Sequence, residues 1–353
     1  MADIATSYEA DDEDLYSLPT HDPLGILRST RIVLELGEHV WINQEQVELL
    51  CQRWLQDTRD AQSTPGTGES QDEALWDARY HFYDGSERTV NWLLVLDALN
   101  FCFWAEKDQP RWTIDYQGEI LNGYWAEAAA LKRAVEDGIP LWDAEYLSTI
   151  SHETVAQIFR GTHTIPLLEQ RVNNAREVGR ILLDHFDGQF VRAIEQTQKS
   201  AIDLSLLLAN TFSSFHDVAT YRHHEVRFFK RAQICAADLH NAFGEKEWGN
   251  LTELDQLTAF ADYKLPQVLR HYNVLEYCPS LAEQVDNREL IAAGSEEEIE
   301  IRAATIWACE LLRRALLAQG YVASAAEIDQ KLWLLGQHST DMRPYHRTRT
   351  IYY

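Results

Sequence analysis

Residues 260–267, Phe-Ala-Asp-Tyr-Lys-Leu-Pro-Gln, place one carboxylate between two aromatic rings and beside a cation. Pro266 is expected to open a helix, because proline suits the first helical position, whose N–H would have no intrahelical partner. Asp262 would then lie just outside a helix N-terminus, where the partial positive charge favours an anion. An acid held against flat rings suits a reaction that builds positive charge next to a planar group, such as N-glycosidic bond cleavage. The alternative is an Asp in an ordinary turn before a helix, with the rings in the core.

Other side chains could serve the same chemistry. His81, flanked by aromatic residues, could hydrogen-bond the edge of a heterocycle, or it could be a satisfied, half-buried histidine. Lys230 and Arg231 put two cations on an otherwise apolar helix; they could clamp a phosphate or form an ordinary solvated face. Asp329 lies three residues before the apolar pair 332–333 and is either a second acid of the site or a surface residue.

The sequence carries no signature of a metal or cofactor site. The densest histidine group, residues 223–225 (His-His-Glu), consists of adjacent residues that point different ways on a regular element. There is no H-E-x-x-H, no C-x-x-C and no glycine-rich dinucleotide or P-loop fingerprint. A G-x-S-x-G elbow is also missing. We therefore expect neither a bound metal nor a cofactor, and no serine hydrolase.

Charge limits the partners of the chain. The 353 residues carry a formal net charge of −25, which argues against broad nucleic-acid binding and against an anionic membrane surface. A phosphate-bearing substrate would need a local cluster of cations to override this field. Apolar residues make up 45% of the chain, enough for a sizeable core.

Cysteine use and the N-terminus indicate the compartment. The five cysteines are scattered and odd in number, which is typical of reduced thiols in the cytosol. The chain begins with acidic residues, unlike a secretory signal, and no apolar run is long enough to span a bilayer. The sequence predicts a cytoplasmic protein.

Periodicity predicts a mainly α protein that would hold these residues. Residues 1–18 are expected to be a mobile acidic tail, and residues 19–353 a single helical domain with a small β-hairpin at 112–121. Residues 62–73, rich in Ser, Thr, Gly and Pro, are predicted to form a loop. The helices are predicted at 43–58, 91–104, 123–137, 151–160, 166–186, 190–209 (one or two), 225–243, 266–272, 296–319 and 324–335.

Several ordered segments resemble the queuosine salvage family, the queuosine 5′-phosphate N-glycosylases. The resemblance runs from about residue 76 to the C-terminus. It is carried by Asn-Trp at 91–92, Asp-Ala-Leu-Asn-Phe-Cys-Phe-Trp at 97–104, Gly-Tyr-Trp at 123–125, Asp-Gly-Ile-Pro at 137–140, Phe-Lys-Arg-Ala-Gln-Ile at 229–234, residues 260–267, Glu-Ile-Arg at 300–302, His-Arg at 346–347 and Ile-Tyr-Tyr at 351–353.

The resemblance implies a helical fold similar to DNA glycosylases and hydrolysis of the bond between queuine and ribose 5-phosphate. It implies that Asp262 is the catalytic carboxylate and that Phe260 stacks on the base. It also implies that His81 and Asp329 contact the base. The sequence departs from the family at Leu334, where the family has an acid after the Trp.

Physical chemistry agrees with this assignment. Loss of the base develops an oxocarbenium ion, which a fixed carboxylate can stabilise while it orients water. Queuine carries a secondary amine that is cationic near neutral pH, so acids such as Asp329 would favour it. Tyr263 belongs to the same predicted site, and the 5′-phosphate would need Lys230, Arg231 or Lys264.

Two other functions stay open on the sequence. A queuine carrier or tRNA-associated salvage factor would bind free queuine and leave the nucleotide intact. A glycosylase for another modified purine nucleotide would differ in its substrate preference. The charge argues against direct tRNA binding, and the acidic surface without a heptad pattern favours a monomer. The sequence does not decide between the nucleoside and the 5′-nucleotide.

Overall fold

A computed structural model describes residues 15–63, 76–338 and 341–353 of the chain. The protein is mainly α, as predicted. The described residues form fourteen α-helices: α1 (Ile26–Leu36), α2 (Gln44–Ser63), α3 (Glu87–Leu99), α4 (Gly123–Glu136), α5 (Ala144–Ser148), α6 (His152–Ile158), α7 (Leu168–His185), α8 (Val191–Gln196), α9 (Ala201–Thr211), α10 (Lys230–Phe243), α11 (Lys264–His271), α12 (Pro279–Asp286), α13 (Glu296–Ala318) and α14 (Ala325–His338).

The strands of the described residues form four separate two-stranded pairs. They are β1 (Val40–Ile42) with β6 (Leu275–Tyr277), β2 (Thr113–Tyr116) with β3 (Glu119–Asn122), β4 (Val218–Tyr221) with β5 (His224–Arg227), all antiparallel, and β7 (Leu290–Ile291) with β8 (Arg347–Thr348), which is parallel. The β2–β3 hairpin is the predicted one. Its turn residues Gln117 and Gly118 both have positive φ, 54° and 85°, which suits the twist of a two-residue hairpin loop.

Three of the predicted helix boundaries were wrong, and in the first two a contact or pairing outside the helix decides the end. The helix predicted at 91–104 stops at Leu99, where the guanidinium of Arg171 takes the carbonyls of Leu99, Phe101 and Cys102 as acceptors. The helix predicted from residue 225 starts at Lys230, because the preceding residues form β5. The α11 helix starts at Lys264, so Pro266 is its third residue.

Helix α13 lies between two hydrophobic cores and is buried on nearly all sides. Ile299 and Trp307 belong to the larger core, which is built mainly from α3, α4, α7, α9 and α10. Ile301 and Ala308 belong to the smaller core, which α13 shares with α2, α11 and α14. A helix that is apolar all round is an internal one. The segment before α11 spans both cores, which places its side chains at their junction.

Glu300 on α13 anchors an early part of the chain. Its Oε2 accepts the backbone N–H groups of Glu38, His39 and Val40 at 2.7–3.1 Å. Its Oε1 accepts the hydroxyl of Tyr221 at 2.8 Å. Burial raises the pKa of Glu300, but these bonds and the His39 side chain outweigh burial, so the pKa lies below its usual value.

The predicted acidic tail and loop lie largely outside the described residues. Of the segment 1–18, the structure describes residues 15–18, and the Tyr16 ring there packs edge-on against Trp307 with a centroid distance of 5.3 Å. Of the loop 62–73, it describes residues 62 and 63, at the end of α2. All five cysteines are free. A search of the described helices finds none with the length and apolarity to cross a bilayer.

Candidate active site

A cavity of about 640 Å³ opens where α10, α11 and α14 meet residues 100–111 and 342–353. Its volume suits a ligand the size of a nucleotide. Six of the residues predicted for the site line it: Lys230, Phe260, Asp262, Tyr263, Lys264 and Asp329.

Asp262 both caps a helix and faces the cavity. Its Oδ1 accepts the backbone N–H groups of Lys264 and Leu265 at 2.7 and 2.9 Å, which fixes the carboxyl at the start of α11. The residue is 8% exposed. Burial raises the pKa of Asp262, while the charge of Lys230 and the two backbone bonds oppose the rise. The two sequence hypotheses are therefore compatible, since the capping bonds occupy Oδ1 and not Oδ2.

A second carboxyl group, that of Asp329 on α14, lies near the first. Its Oδ2 accepts the backbone N–H of Phe260 at 2.6 Å. Burial and then the charge of Asp262 raise the pKa of Asp329 well above its usual value. Two neighbouring acids whose surroundings separate their pKa values take different roles. The pKa of Asp329 is raised further than that of Asp262, so Asp329 keeps its proton to higher pH and in that neutral form can donate a hydrogen bond.

Lys230 begins α10 and reaches the same space. It is 5% exposed, and burial lowers the pKa of its amine, while the charges of Asp262 and Asp329 act in the opposite direction. The amine is thus the local positive charge that favours the ionised form of Asp262.

One buried ion pair fixes the backbone on both sides of this group. Arg302 on α13 makes two hydrogen bonds to Asp217, at 2.9 and 2.6 Å. The Nε of Arg302 also donates to the carbonyl of Ala261, next to Asp262, at 3.2 Å. Asp217 in turn accepts the backbone N–H of Lys230 at 3.2 Å. The pair therefore ties the start of α10 to the segment that carries Asp262.

Aromatic rings supply flat walls for the cavity. Phe260 is a buried lining residue, and the Tyr263 ring lies 4.9 Å from that of Tyr345. Tyr124 and Trp333 line another part, with ring centroids 6.0 Å apart and planes nearly perpendicular. Such walls suit a planar heterocycle.

His81 lies behind the wall of the cavity. Its Nε2 is 2.9 Å from the Tyr124 hydroxyl, its Nδ1 interacts with the backbone of Asp77, and its ring stacks on Trp76 at 4.4 Å. Burial lowers the pKa of His81 to about 4, so the imidazole is neutral near pH 7. The structure gives His81 an indirect position, in which it orients the lining residue Tyr124.

Arg231 points away from the cavity. Its guanidinium donates to the backbone carbonyls of Asp97, Ala98 and Ser214. The side chain is buried and is not a lining residue. Both terminal nitrogens donate to main chain and the Nε has no partner in the described part of the chain, so the side chain does not reach the cavity as the phosphate prediction required.

Sequence reasoning missed several lining residues. Asp238 lies eight residues after Lys230 on α10, a helical spacing that puts both on one face and could have revealed it. Arg111, Arg288 and Arg347 come from three distant segments and share no local pattern.

Asp238 has a buried carboxyl neighbour in Asp97 on α3. Burial raises the pKa of Asp97 well above its usual value, and the charge of Asp238 adds to this. Burial also raises the pKa of Asp238, to about 6. Neither carboxyl oxygen of Asp97 has a hydrogen bond of good geometry within the described part of the chain.

Within the described ranges, no group of three or more His, Cys, Asp or Glu side chains could hold a metal ion. In the densest histidine group of the sequence, His223 lies in the turn of the β4–β5 hairpin and His224 is the first residue of β5. The side chains that line the cavity supply carboxyl groups, two amines, guanidinium groups and aromatic rings.

Comparison with known proteins gives one consistent result. The family model described as queuosine salvage protein matches residues 80–353. A protein of Sphaerobacter thermophilus is 48% identical over 333 residues, covering 94% of this chain and 98% of that protein. A mouse (Mus musculus) protein is 36% identical, covering 76% and 82%, and one of Dictyostelium discoideum is 34% identical, covering 94% and 100%. All three bear the name queuosine 5′-phosphate N-glycosylase/hydrolase.

Proposed function

The chain belongs to the queuosine salvage protein family, and we propose that it hydrolyses the N-glycosidic bond of queuosine 5′-phosphate. The reaction releases queuine for salvage into tRNA modification. The observation that carries this proposal is the buried, capped carboxylate of Asp262 in a nucleotide-sized cavity with aromatic walls. The 48% identity over 94% of the chain to a relative with that name supports the same activity.

The mechanism begins with Asp262 ionised. As the bond from the anomeric carbon to the base nitrogen breaks, positive charge develops on the sugar, and the carboxylate stabilises it. A water oxygen bonds to the anomeric carbon and gives one proton to Asp262. The base leaves with the bonding electron pair and takes up a proton from solvent, while Asp262 returns its proton to solvent and becomes a carboxylate again. The charge of Lys230 favours the carboxylate form of Asp262, which this reaction requires.

Base recognition falls to the aromatic walls and the neutral acid. Phe260 and Tyr263 offer ring faces, and Asp329 can donate a hydrogen bond to a base acceptor. His81 contributes through Tyr124. Leu334, where the family has an acid, is half-buried on α14 and does not line the cavity, so the acid's part in base contact must be taken by other residues.

The remaining properties follow from charge and from the nature of the substrate. We propose that the protein acts in the cytoplasm, as a monomer, on a small molecule. A net charge of −25 supports the absence of direct tRNA binding, because tRNA recognition needs a basic surface.

The direct test is to incubate the purified protein with queuosine 5′-phosphate and detect free queuine by mass spectrometry. Asp262→Asn is expected to lower kcat by at least about 100-fold, the usual loss when a charge-stabilising group is removed, while retaining substrate binding. Asp255→Asn, an exposed change in the same segment, is the matched control and should retain activity.

Different failures point to different functions. Near wild-type turnover by Asp262→Asn would remove this residue from the mechanism. An intact nucleotide in every tube, together with tight binding of free queuine, would indicate a carrier. Faster release of guanine from guanosine 5′-phosphate than of queuine would indicate a glycosylase for another purine nucleotide.

A further inference from the structure

The cations predicted to hold a phosphate are largely engaged elsewhere. Arg231 donates to backbone carbonyls outside the cavity. Lys230 lies among carboxyl groups, and the charges of Asp262 and Asp329 act on its amine. Lys264 faces the cavity, with its amine near the carbonyl of Gly336 at 3.3 Å. A doubly charged phosphate needs more than this one amine.

Three arginines line the same cavity at another place. Arg111 lies just before β2, Arg288 follows α12, and Arg347 is in β8. Burial lowers the pKa of Arg347 most, and the charges of Arg288 and Arg111 lower it further, so the three positive charges of this cavity wall act on one another. The parallel pairing of β8 with β7 places Arg347 opposite Leu290, two residues after Arg288.

Arg347 is the buried member of this cluster. Only 9% of it is exposed, and its Nη1 has no hydrogen-bond partner in the described part of the chain. A buried guanidinium with an unsatisfied donor and two neighbouring positive charges is unfavourable unless an anion completes the site. Guanidinium groups match the geometry of phosphate oxygens, which accept two parallel N–H bonds.

Acidic side chains near the cluster do not neutralise it. Glu106 and Asp108 also line the cavity. Glu106 forms an ion pair with Arg349, a fourth arginine outside this cluster. Asp108 is exposed, and its charge acts on Arg347. Of these two carboxylates, only that of Asp108 is left to oppose the three guanidinium groups, so the cluster keeps a net positive charge.

Tyr345 joins the cluster to the catalytic segment. Its ring lies 4.9 Å from that of Tyr263 and 5.4 Å from the Lys264 amine. Its hydroxyl is 3.4 Å from the Nη2 of Arg111. Tyr345 thus lies between the segment that carries Asp262 and the arginine cluster. The amine of Lys230, whose charge acts on Asp262, belongs to the wall formed by α10.

We propose that Arg111, Arg288 and Arg347 form the subsite for the 5′-phosphate of the substrate. This inference rests on the proposed function. A nucleotide bound in this way has its base toward α10, its glycosidic bond at Asp262 and its phosphate at the arginines. The subsite makes the enzyme selective for the 5′-nucleotide over the nucleoside.

The first test compares kcat/KM for queuosine 5′-phosphate and for queuosine. Arg347→Ala is expected to lower the value for the nucleotide by about 10- to 100-fold, since one charged hydrogen bond is lost, and to leave that for the nucleoside nearly unchanged. Arg111→Ala and Arg288→Ala remove exposed side chains, so they keep the test valid if the Arg347 variant fails to fold. Arg343→Ala is the control, an exposed arginine of the same segment that does not line the cavity.

A second measurement separates this inference from the proposed activity. Ribose 5-phosphate should raise the Tm of the wild type and of the Arg343 variant, and should lose this effect in Arg111→Ala and Arg288→Ala. Equal losses on nucleotide and nucleoside, or full protection by ribose 5-phosphate in both arginine variants, would overturn the subsite. If neither substrate is hydrolysed by the wild type, the proposed function fails, while the Tm measurement still decides the phosphate site.

Discussion

The amine of Lys230 faces more carboxyl groups than one positive charge can neutralise. The charges of Asp97, Asp262 and Asp329 act on its pKa, and its own charge acts on Asp238. Burial raises the pKa of each of these four acids. The upward shifts are strongest for Asp97 and Asp329, so these two carboxyl groups keep their protons to higher pH than Asp262 and Asp238 do. The four acids of the site therefore lose their protons at different pH values.

Asp238 makes the site sensitive to pH. Its pKa is raised to about 6, so the carboxyl is ionised above that pH and protonated below it. Queuine carries a cationic amine, which the ionised form attracts. The Kd for queuine is therefore expected to rise about tenfold for each pH unit well below 6, because the competent fraction falls by that factor. Calorimetric titration of queuine between pH 5 and 8 measures this.

Asp238→Asn provides the comparison. It should bind queuine more weakly at pH 8 and show a flat pH profile below 6, while Asp255→Asn keeps the wild-type profile. Asp97, Lys230 and Asn241 also act on Asp238. An unchanged slope in Asp238→Asn would assign the titration to one of those neighbours or to the ligand.

Whether the sequence predicts that a side chain belongs to the cavity depends on whether the residue is part of a local motif. Asp262 and Phe260 belong to one continuous motif, and the structure places both at the cavity. His81 was predicted to contact the base, but a hydrogen bond to Tyr124, 43 residues away, sets its position. Arg347 becomes part of a cluster because β8 pairs with β7, a contact that no local pattern reveals.

The start of a helix can likewise be set by a local signal or by contacts with distant residues. Ser324 and Glu327 form a capping box, with reciprocal bonds of 2.7 and 3.1 Å, and this three-residue spacing is a local signal for the start of α14. The start of α10 could not be predicted in this way, because residues 224–227 form a hairpin strand that resembles helix in its composition. Propensity is a weak guide where a pairing partner lies elsewhere.

The start of α10 also depends on the Arg302–Asp217 pair, which suggests a stability test. Asp217→Asn removes the nearer carboxylate partner of the buried Arg302 and leaves only Glu298, whose Oε1 lies 3.7 Å from Nη1. It is expected to lower the free energy of unfolding by about 3 kcal/mol, at the low end for a broken buried pair. Its kcat should fall too, since Lys230 and Ala261 lose their shared support. Urea denaturation and steady-state kinetics measure the two effects.

The matched control is Glu195→Gln, which breaks an exposed ion pair with Arg192 on α8. Exposed pairs contribute little, so its unfolding curve should overlay that of the wild type. A small effect of Asp217→Asn, no larger than that of the control, would show that the buried pair is dispensable.

Across the whole molecule, Glu300 holds together segments that are far apart in the chain. Its bond to His39 spans 261 residues and its bond to Tyr221 spans 79. Gly37 is adapted to this arrangement, because an added Cβ would lie 2.8 Å from the Val33 carbonyl and 3.1 Å from Glu300. Helix α13 therefore fixes residues 38–40 through the hydrogen bonds of one carboxylate.

Glu300→Gln tests this anchor through its pH dependence. The pKa of Glu300 is lowered by folding, so its stabilisation is present above the unfolded pKa and is lost as pH falls through the folded value. The variant is expected to be less stable than the wild type by about 1–3 kcal/mol at pH 7, with a smaller difference at pH 3–4. Urea midpoints at both pH values measure it. A constant difference would mean that the carboxylate charge is not what matters.

The placement of residues 344–353 has a consequence for biosynthesis. This segment brings Tyr345, Arg347 and Tyr353 to the cavity, and it leaves the ribosome after Asp262 and all of α14. Chains fold as they emerge, N-terminal parts first, so a nascent chain can place Asp262 and α14 before residues 344–353 supply their part of the cavity lining. Such an intermediate would have an open groove in place of a cavity. The full lining around Asp262 thus depends on a segment that is synthesised after the elements that hold this carboxyl group.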